Sequence, residues 1–205
     1  AAVIESLLGG LSVTARGHHV LALSGAPTPA RIEGPLGGRA VTCHAPFALY
    51  DGERLTLGAP GRGLRTYLAV RGGIDVPEVL GSRSTDVLSG IGPDPLSAGD
   101  ELPVLEVAAG RAVGLPEPPA VTLPAPDETV TLRVSPGPRD DWFTPEAIET
   151  FLSRDWVVSE QSNRVGVRFE EPTEGPPLER SREGELSSEG VVAGSLQVPH
   201  SGVPV

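Results

Sequence analysis

Glycine and proline set the grain of this chain. Of 205 residues, 26 are glycine and 22 are proline, and they fall between short apolar runs instead of clustering. Proline removes a backbone donor and glycine weakens any regular element, so many short strands joined by turns are expected. Val20-Leu21-Ala22-Leu23 is stopped by Ser24-Gly25. Ala45 to Tyr50 runs into Asp51-Gly52, and Leu55-Thr56-Leu57 follows; Asp-Gly between apolar runs signals a hairpin. From Leu64 to Val70 the pattern alternates, with Leu64, Thr66, Leu68 and Val70 on one face and Arg65, Tyr67 and Ala69 on the other, until Gly72-Gly73 ends it. Ser97-Ala98-Gly99-Asp100 makes a further turn before Leu102-Pro103-Val104-Leu105. The apolar fraction of 39% is enough to build a core.

The charge divides unevenly. Residues 1–100 hold 8 arginines and 9 acids, whereas residues 101–205 hold 8 arginines and 18 acids. The shift coincides with Leu115-Pro116-Glu117-Pro118-Pro119 and Leu123-Pro124-Ala125-Pro126-Asp127, whose prolines force an extended path. The expected organisation is an N-terminal β domain over 1–113, a Pro-rich linker over 114–128 and a C-terminal β unit over 129–205. In that last unit Val130 to Val134, Trp156-Val157-Val158, Val165 to Phe169 and Ser195 to Val198 have strand patterns. One helix is expected: Thr144 is a fitting N-cap, Pro145 stands at the first helical position and Glu146 complements the dipole. Phe143 can staple Ile148, and Ala147, Ile148, Phe151 and Leu152 make its buried stripe. Residues 171–187 have the composition of a mobile loop. The chain opens on Ala1 without a methionine and stops at Val205 in a strand-like pattern, so both ends are expected to continue in a longer polypeptide.

Composition removes several functions. All 16 basic residues are arginine; a phosphate-binding loop with its lysine and an imine-forming lysine are therefore excluded. A net charge of −11 argues against a nucleic-acid partner, which requires positive charge to displace counterions. No apolar run approaches the length of a membrane span, and no signal peptide is visible. The single cysteine, Cys43, cannot form an internal disulfide or a cysteine-rich zinc site; the expected location is the cytoplasm, with a secreted protein carrying one free thiol as the alternative. His18 and His19 are adjacent, so on a strand they face opposite ways and cannot chelate one ion; no metal site is expected.

Three segments carry candidate chemistry. Arg71-Gly72-Gly73 follows a strand, where glycine permits close approach of a ligand to the backbone. Gly81-Ser82-Arg83-Ser84-Thr85 sets three hydroxyls around a guanidinium, an anion-binding combination; the same residues could instead cap a short helix and salt-bridge a neighbour. Asn163 and Arg164 precede an apolar strand. Asn163 either caps that strand in a left-handed conformation or matches a substrate amide with its own. Glycines around Gly190 to Gly194, ahead of Gln197, suggest a bulge or a backbone that a ligand approaches. Asp140-Asp141 could act as a base, but a position just before a helix suits complementing its dipole.

In order, Leu64 to Ile74, Val79 to Thr85, Ser162 to Arg168, Leu186 to Val191 and Gly194 to Pro199 resemble the allophanate hydrolase subunit 2 family. Its relatives include the C subunit of 5-oxoprolinase, the antagonist of the kinase-A inhibitor and the carboxyltransferase half of urea carboxylase. The chain departs from the family pattern where Glu170 is followed by Glu171 and Pro172.

The resemblance implies a mostly β fold of two cyclophilin-like β-barrel halves with few short helices, the 129–205 half being truncated. It implies a kinase-inhibitor-like subunit 1 partner and a small ureido or cyclic amide substrate, allophanate or 5-oxoproline, the latter ATP-dependent. Arg83 and Asn163 are then the catalytic candidates, converging on one small-anion pocket. Arg71, Gly72, Gly73, Ser82, Ser84, Arg164 and Gln197 are the substrate-binding candidates. No cofactor is expected on this chain itself; ATP would be used by the complex. Two other functions fit the same resemblance: a non-catalytic regulatory module that binds the partner, and a biotin-dependent carboxyltransferase domain.

Overall fold

A computed structural model describes residues 1–35, 37–107, 112–184 and 186–205. The chain divides into two compact units, Ala1–Val130 and Thr131–Val205.

The first unit carries eight strands: β1 (Ile4–Leu7), β2 (Ser12–Thr14), β3 (His19–Gly25), β4 (Ala30–Gly34), β5 (Gly37–Val41), β6 (Pro46–Leu49), β7 (Arg54–Leu57) and β8 (Arg65–Val70). They form two four-stranded antiparallel sheets, ordered β1-β8-β3-β6 and β2-β7-β4-β5. The alternation expected around Leu64 is realised from Arg65 onward. Thr66 and Leu68 are buried, and Leu68 lies opposite both Ile4 and Leu23. Buried Thr66 is tolerated because its Oγ1 donates to Ala26 O at 2.8 Å. Leu21, Leu23, Leu49 and Leu68 of one sheet meet Ile32, Leu55 and Leu57 of the other in a single core. The mostly β architecture expected from the glycine and proline spacing is present.

The Asp51-Gly52 turn forms, with Glu53 N donating to Tyr50 O at 2.9 Å, but it does not make the expected hairpin. β6 pairs with β3, whereas β7 pairs with β2 and β4, so the turn carries the chain from one sheet to the other. Residues far away in sequence capture it: Gly17 N donates to Asp51 Oδ1 at 2.6 Å and Gly52 N to Ala15 O at 3.0 Å. The Leu102 to Leu105 segment contributes one bridge, Ile74 to Val104. The Pro-rich stretch packs within the first unit, with Glu117 N on His44 O and Arg62 Nη1 on Leu123 O.

In the second unit the helix is where its caps put it: α1 (Pro145–Ser153), with Ala147 N donating to Thr144 Oγ1 at 3.1 Å. Ala147 is buried, but Leu152, expected in the same stripe, is exposed. The segments patterned as strands do not form ladders. Val158 and Phe169 make one bridge, and Gln197 and Val205 exchange two backbone bonds. Alternation supplies a face, not a partner, and Val130, Leu132 and Val134 are exposed. Within 171–184, Leu178 is buried and Arg180 Nη2 donates to Val198 O at 2.9 Å.

Candidate functional site

In the first unit, β8 ends in the Arg71-Gly72-Gly73 turn, closed by Gly73 N on Val70 O at 2.9 Å. Both glycines have positive φ, 100° and 88°. The close approach expected at this backbone is made by the chain itself. A Cβ on Gly72 would stand 2.1 Å from Leu105 O, and one on Gly73 would meet Ala1.

Downstream lie two tight turns. Val79 and Ser82 exchange backbone hydrogen bonds around Leu80 and Gly81, both at positive φ. Asp86 and Ile91 do the same around Val87 to Gly90, and Asp86 Oδ1 accepts from Leu88 N. Arg83 sits between them. Its Nε donates to Glu78 Oε1 at 3.2 Å and its Nη1 to Val76 O at 3.0 Å. Ser82 Oγ accepts from Ser84 N at 3.1 Å. The salt-bridged alternative for Arg83 is thus present, although without the short helix. Because a guanidinium has five N–H donors, Arg83 keeps donors for a further acceptor.

In the second unit, Asn163 Oδ1 accepts from Val165 N at 2.8 Å and Gly166 N at 3.2 Å. Asn163 does cap the turn, but through its side chain: it is not among the residues at positive φ. Ser162 Oγ braces the same turn against Arg168. Arg164 and Gln197 are exposed. Asp141 pairs with Arg182 at 2.5 Å, in a short 3-10 turn ahead of α1. Arg71, Gly72, Gly73, Ser82, Arg83 and Ser84 therefore belong to the first unit, and Asn163, Arg164 and Gln197 to the second.

A cleft of the first unit was not anticipated from the sequence motifs. It has a volume of about 860 Å³ and is bounded by Leu23, His44, Arg65, Tyr67, Leu115 and Leu123 among others. His44 holds φ at 63°, its N donating to Leu23 O and its O accepting from Glu117 N. The lining comes from several separated segments, so no local motif announces it. Among the described residues no group of three or more His, Cys, Asp or Glu side chains could hold a metal ion. None of their helices is long and apolar enough to cross a membrane.

The model of the family described as carboxyltransferase domain, subdomain A and B, matches residues 1–205. The chain belongs to this carboxyltransferase domain family. Among curated members it is 36% identical to the C subunit of 5-oxoprolinase from Escherichia coli K12, over 100% of this chain and 63% of that protein. It is 37% identical to urea amidolyase of Lachancea kluyveri, over 82% of this chain and 10% of that protein. Among solved structures, that of TTHA0988 superposes with a TM-score of 0.77 at 34% identity, covering 98% of this chain and 37% of the other. The carboxyltransferase domain seen here therefore spans less than two thirds of the length of each of these relatives. The resemblance to the allophanate hydrolase subunit 2 family is borne out by these matches.

Proposed function

We propose that this chain is part of a subunit of a hetero-oligomeric amide hydrolase that opens a small ureido or cyclic amide compound, with 5-oxoproline as the first candidate. The observation that carries this reading is the whole-chain similarity to the C subunit of 5-oxoprolinase. Water adds across the amide C–N bond, and the protein's task is to hold the substrate and offset the charge developing on the carbonyl oxygen. Arg83 is assigned to the substrate carboxylate, through the donors that Glu78 and Val76 leave available. Asn163 is assigned to the substrate amide. Ser82, Ser84, Arg71, Arg164 and Gln197 are assigned to binding, with Gly72 and Gly73 shaping the turn beside Arg71. The partner is a kinase-inhibitor-like subunit 1 protein. If the complex uses ATP, its phosphoryl chemistry is assigned to another subunit, because this chain has no lysine for a phosphate-binding loop of the lysine-containing type.

The test is ATP hydrolysis by the full-length protein reconstituted with its subunit 1 partner, with 5-oxoproline, allophanate or urea added in turn. Stimulation by 5-oxoproline supports the reading. Arg83→Ala and Asn163→Ala are each expected to lower turnover by about 10²–10³-fold while the complex still assembles. Full activity in both variants would remove the site assignment.

A second reading, a domain that accepts a carboxyl group from carboxybiotin, is favoured by the similarity to urea amidolyase. It predicts urea-dependent consumption of carboxybiotin and no response to 5-oxoproline.

A further inference from the structure

The hairpin that carries Asn163 is closed by side chains at its tip. Its stem is backbone: Glu170 N donates to Val157 O at 2.8 Å and Ser159 N to Arg168 O at 2.7 Å, with Val158 bridged to Phe169. Nearer the tip, Ser162 stands in for a paired residue. Its Oγ accepts from Arg168 N at 2.9 Å and donates to Arg168 O at 3.1 Å, the two bonds that a strand partner's backbone would make. Asn163 N donates to Gly166 O at 3.0 Å, and Asn163 Oδ1 accepts from both Val165 N and Gly166 N. A carboxamide oxygen has two lone pairs, and both are used inside the turn. Two donors on one side also fix which end of the amide is oxygen, so the group cannot flip without losing both bonds. What remains is Nδ2, which donates to none of the described residues and belongs to an exposed side chain.

Aspartate would close the same turn through the same two bonds. The carboxamide adds only its N–H donors, held in one direction by a tip that is already ordered. Such a donor needs no reorganisation when charge develops on an oxygen facing it. We infer that Asn163 meets the carbonyl oxygen of the scissile amide through Nδ2 and does not pair with the amide N–H, and that Ser162 is a positioning residue for that donor. Water adds its oxygen to the carbonyl carbon, the C=O electron pair moves onto the carbonyl oxygen, and Nδ2–H bonds the oxyanion. The pair returns as the C–N bond breaks, and a proton from the water ends on the departing nitrogen. The inference rests on the hydrolase reading above and names which half of the substrate amide Asn163 serves.

Asn163→Asp separates the turn from the donor, because it keeps both acceptor bonds and removes the N–H groups. Asn163→Ser does so without adding a charge, its hydroxyl accepting from the same turn amides. The experiment measures kcat and KM for 5-oxoproline with the full-length protein reconstituted with its subunit 1 partner, alongside the melting temperature of each variant. Both variants are expected to lower kcat by about 10²–10³-fold, with kcat/KM falling equally, the signature of a contact made only in the transition state. Their melting temperatures are expected to stay near wild type, whereas Asn163→Ala melts earlier. Ser162→Ala is expected to lower kcat by about tenfold, and Ser162→Thr, which keeps the hydroxyl, to restore it. Wild-type kcat in both Asn163→Asp and Asn163→Ser, or a loss confined to KM, would overturn the donor role and leave the hydrolase reading intact. Melting as early as Asn163→Ala in both would overturn the separation of turn from donor. A loss in Ser162→Ala that Ser162→Thr does not repair would overturn the positioning role. A wild-type complex that turns over none of 5-oxoproline, allophanate and urea would overturn the hydrolase reading and this inference with it.

Discussion

Arg39 on β5 reaches across β4 to grip both carboxylate oxygens of Glu53, and its Nη2 also donates to Ala48 O on β6. One guanidinium thereby ties the two sheets at the corner where the chain passes between them. Glu53 is buried as a residue and takes a third bond from Tyr50 N at 2.9 Å. The Arg39 hydrogen bond, followed by the Tyr50 amide, holds the Glu53 carboxyl down at about 2 from its ordinary 4.5. A carboxyl with a lower pKa folded than unfolded adds stability that is complete above the unfolded value and is lost as pH falls toward the folded one. Stability of the first unit is therefore expected to decline between about pH 4.5 and pH 2. Glu53→Gln should lower the melting temperature at neutral pH and flatten that decline. Far-UV circular dichroism across an acid series checks it, and an unchanged acid profile in the variant would count against the clamp.

The cap of α1 can be tested separately. Thr144 Oγ1 accepts from Ala147 N, so Thr144→Ala leaves that amide unpaired and is expected to cost about 1 kcal/mol, while Thr144→Ser should cost little. Both tryptophans, Trp142 and Trp156, lie in the second unit. Their fluorescence during urea unfolding therefore reports that unit, and a shift as large for serine as for alanine would exclude the cap as the cause.

Gly72 distinguishes packing from ligand approach. Its φ of 100° and the position of Leu105 O leave no room for a side chain. Gly72→Ala is therefore expected to destabilise the protein by about 1–3 kcal/mol, whether or not substrate is present. Gly99 has a similar φ of 98° but open space around it, so Gly99→Ala should suffer the backbone strain alone and lose less. Equal melting temperatures for the two variants would show that the Leu105 contact is not what requires glycine.

Features fixed by near neighbours were legible in the sequence. Thr144, Pro145 and Glu146 mark α1 because caps act within one turn, and the alternation from Thr66 to Val70 marks β8 because one face meets the core. The Asp51-Gly52 turn was legible as a turn, but its pairing was not: whether flanking strands join depends on Ala15, Gly17 and Arg39, which are remote in sequence. The same limit applies to Gly72, where sequence cannot say whether Leu105 or a ligand fills the space. The cleft beside His44 was illegible because its walls come from several separated stretches. Around Arg83 the residue types were legible, but not that Glu78 and Val76 would fix the guanidinium from one side.

That fixation yields the last prediction. Glu78 Oε1 lies 3.2 Å from both Nε and Nη2 of Arg83, and Val76 O takes Nη1. The carboxylate occupies one edge of the fork and sets the direction in which the remaining donors point. Glu78 is thus a positioning residue for Arg83 and need not touch substrate. Glu78→Ala should let the side chain swing and lower kcat/KM of the reconstituted complex by about tenfold to a hundredfold, since small misplacements of a binding group are costly. Glu78→Gln keeps an acceptor oxygen for Nε and should recover most of that loss. Arg83→Lys should not, because an ammonium cannot reproduce the planar fork. If Glu78→Ala retained full activity while Arg83→Ala did not, the guanidinium would be oriented by something other than this pair.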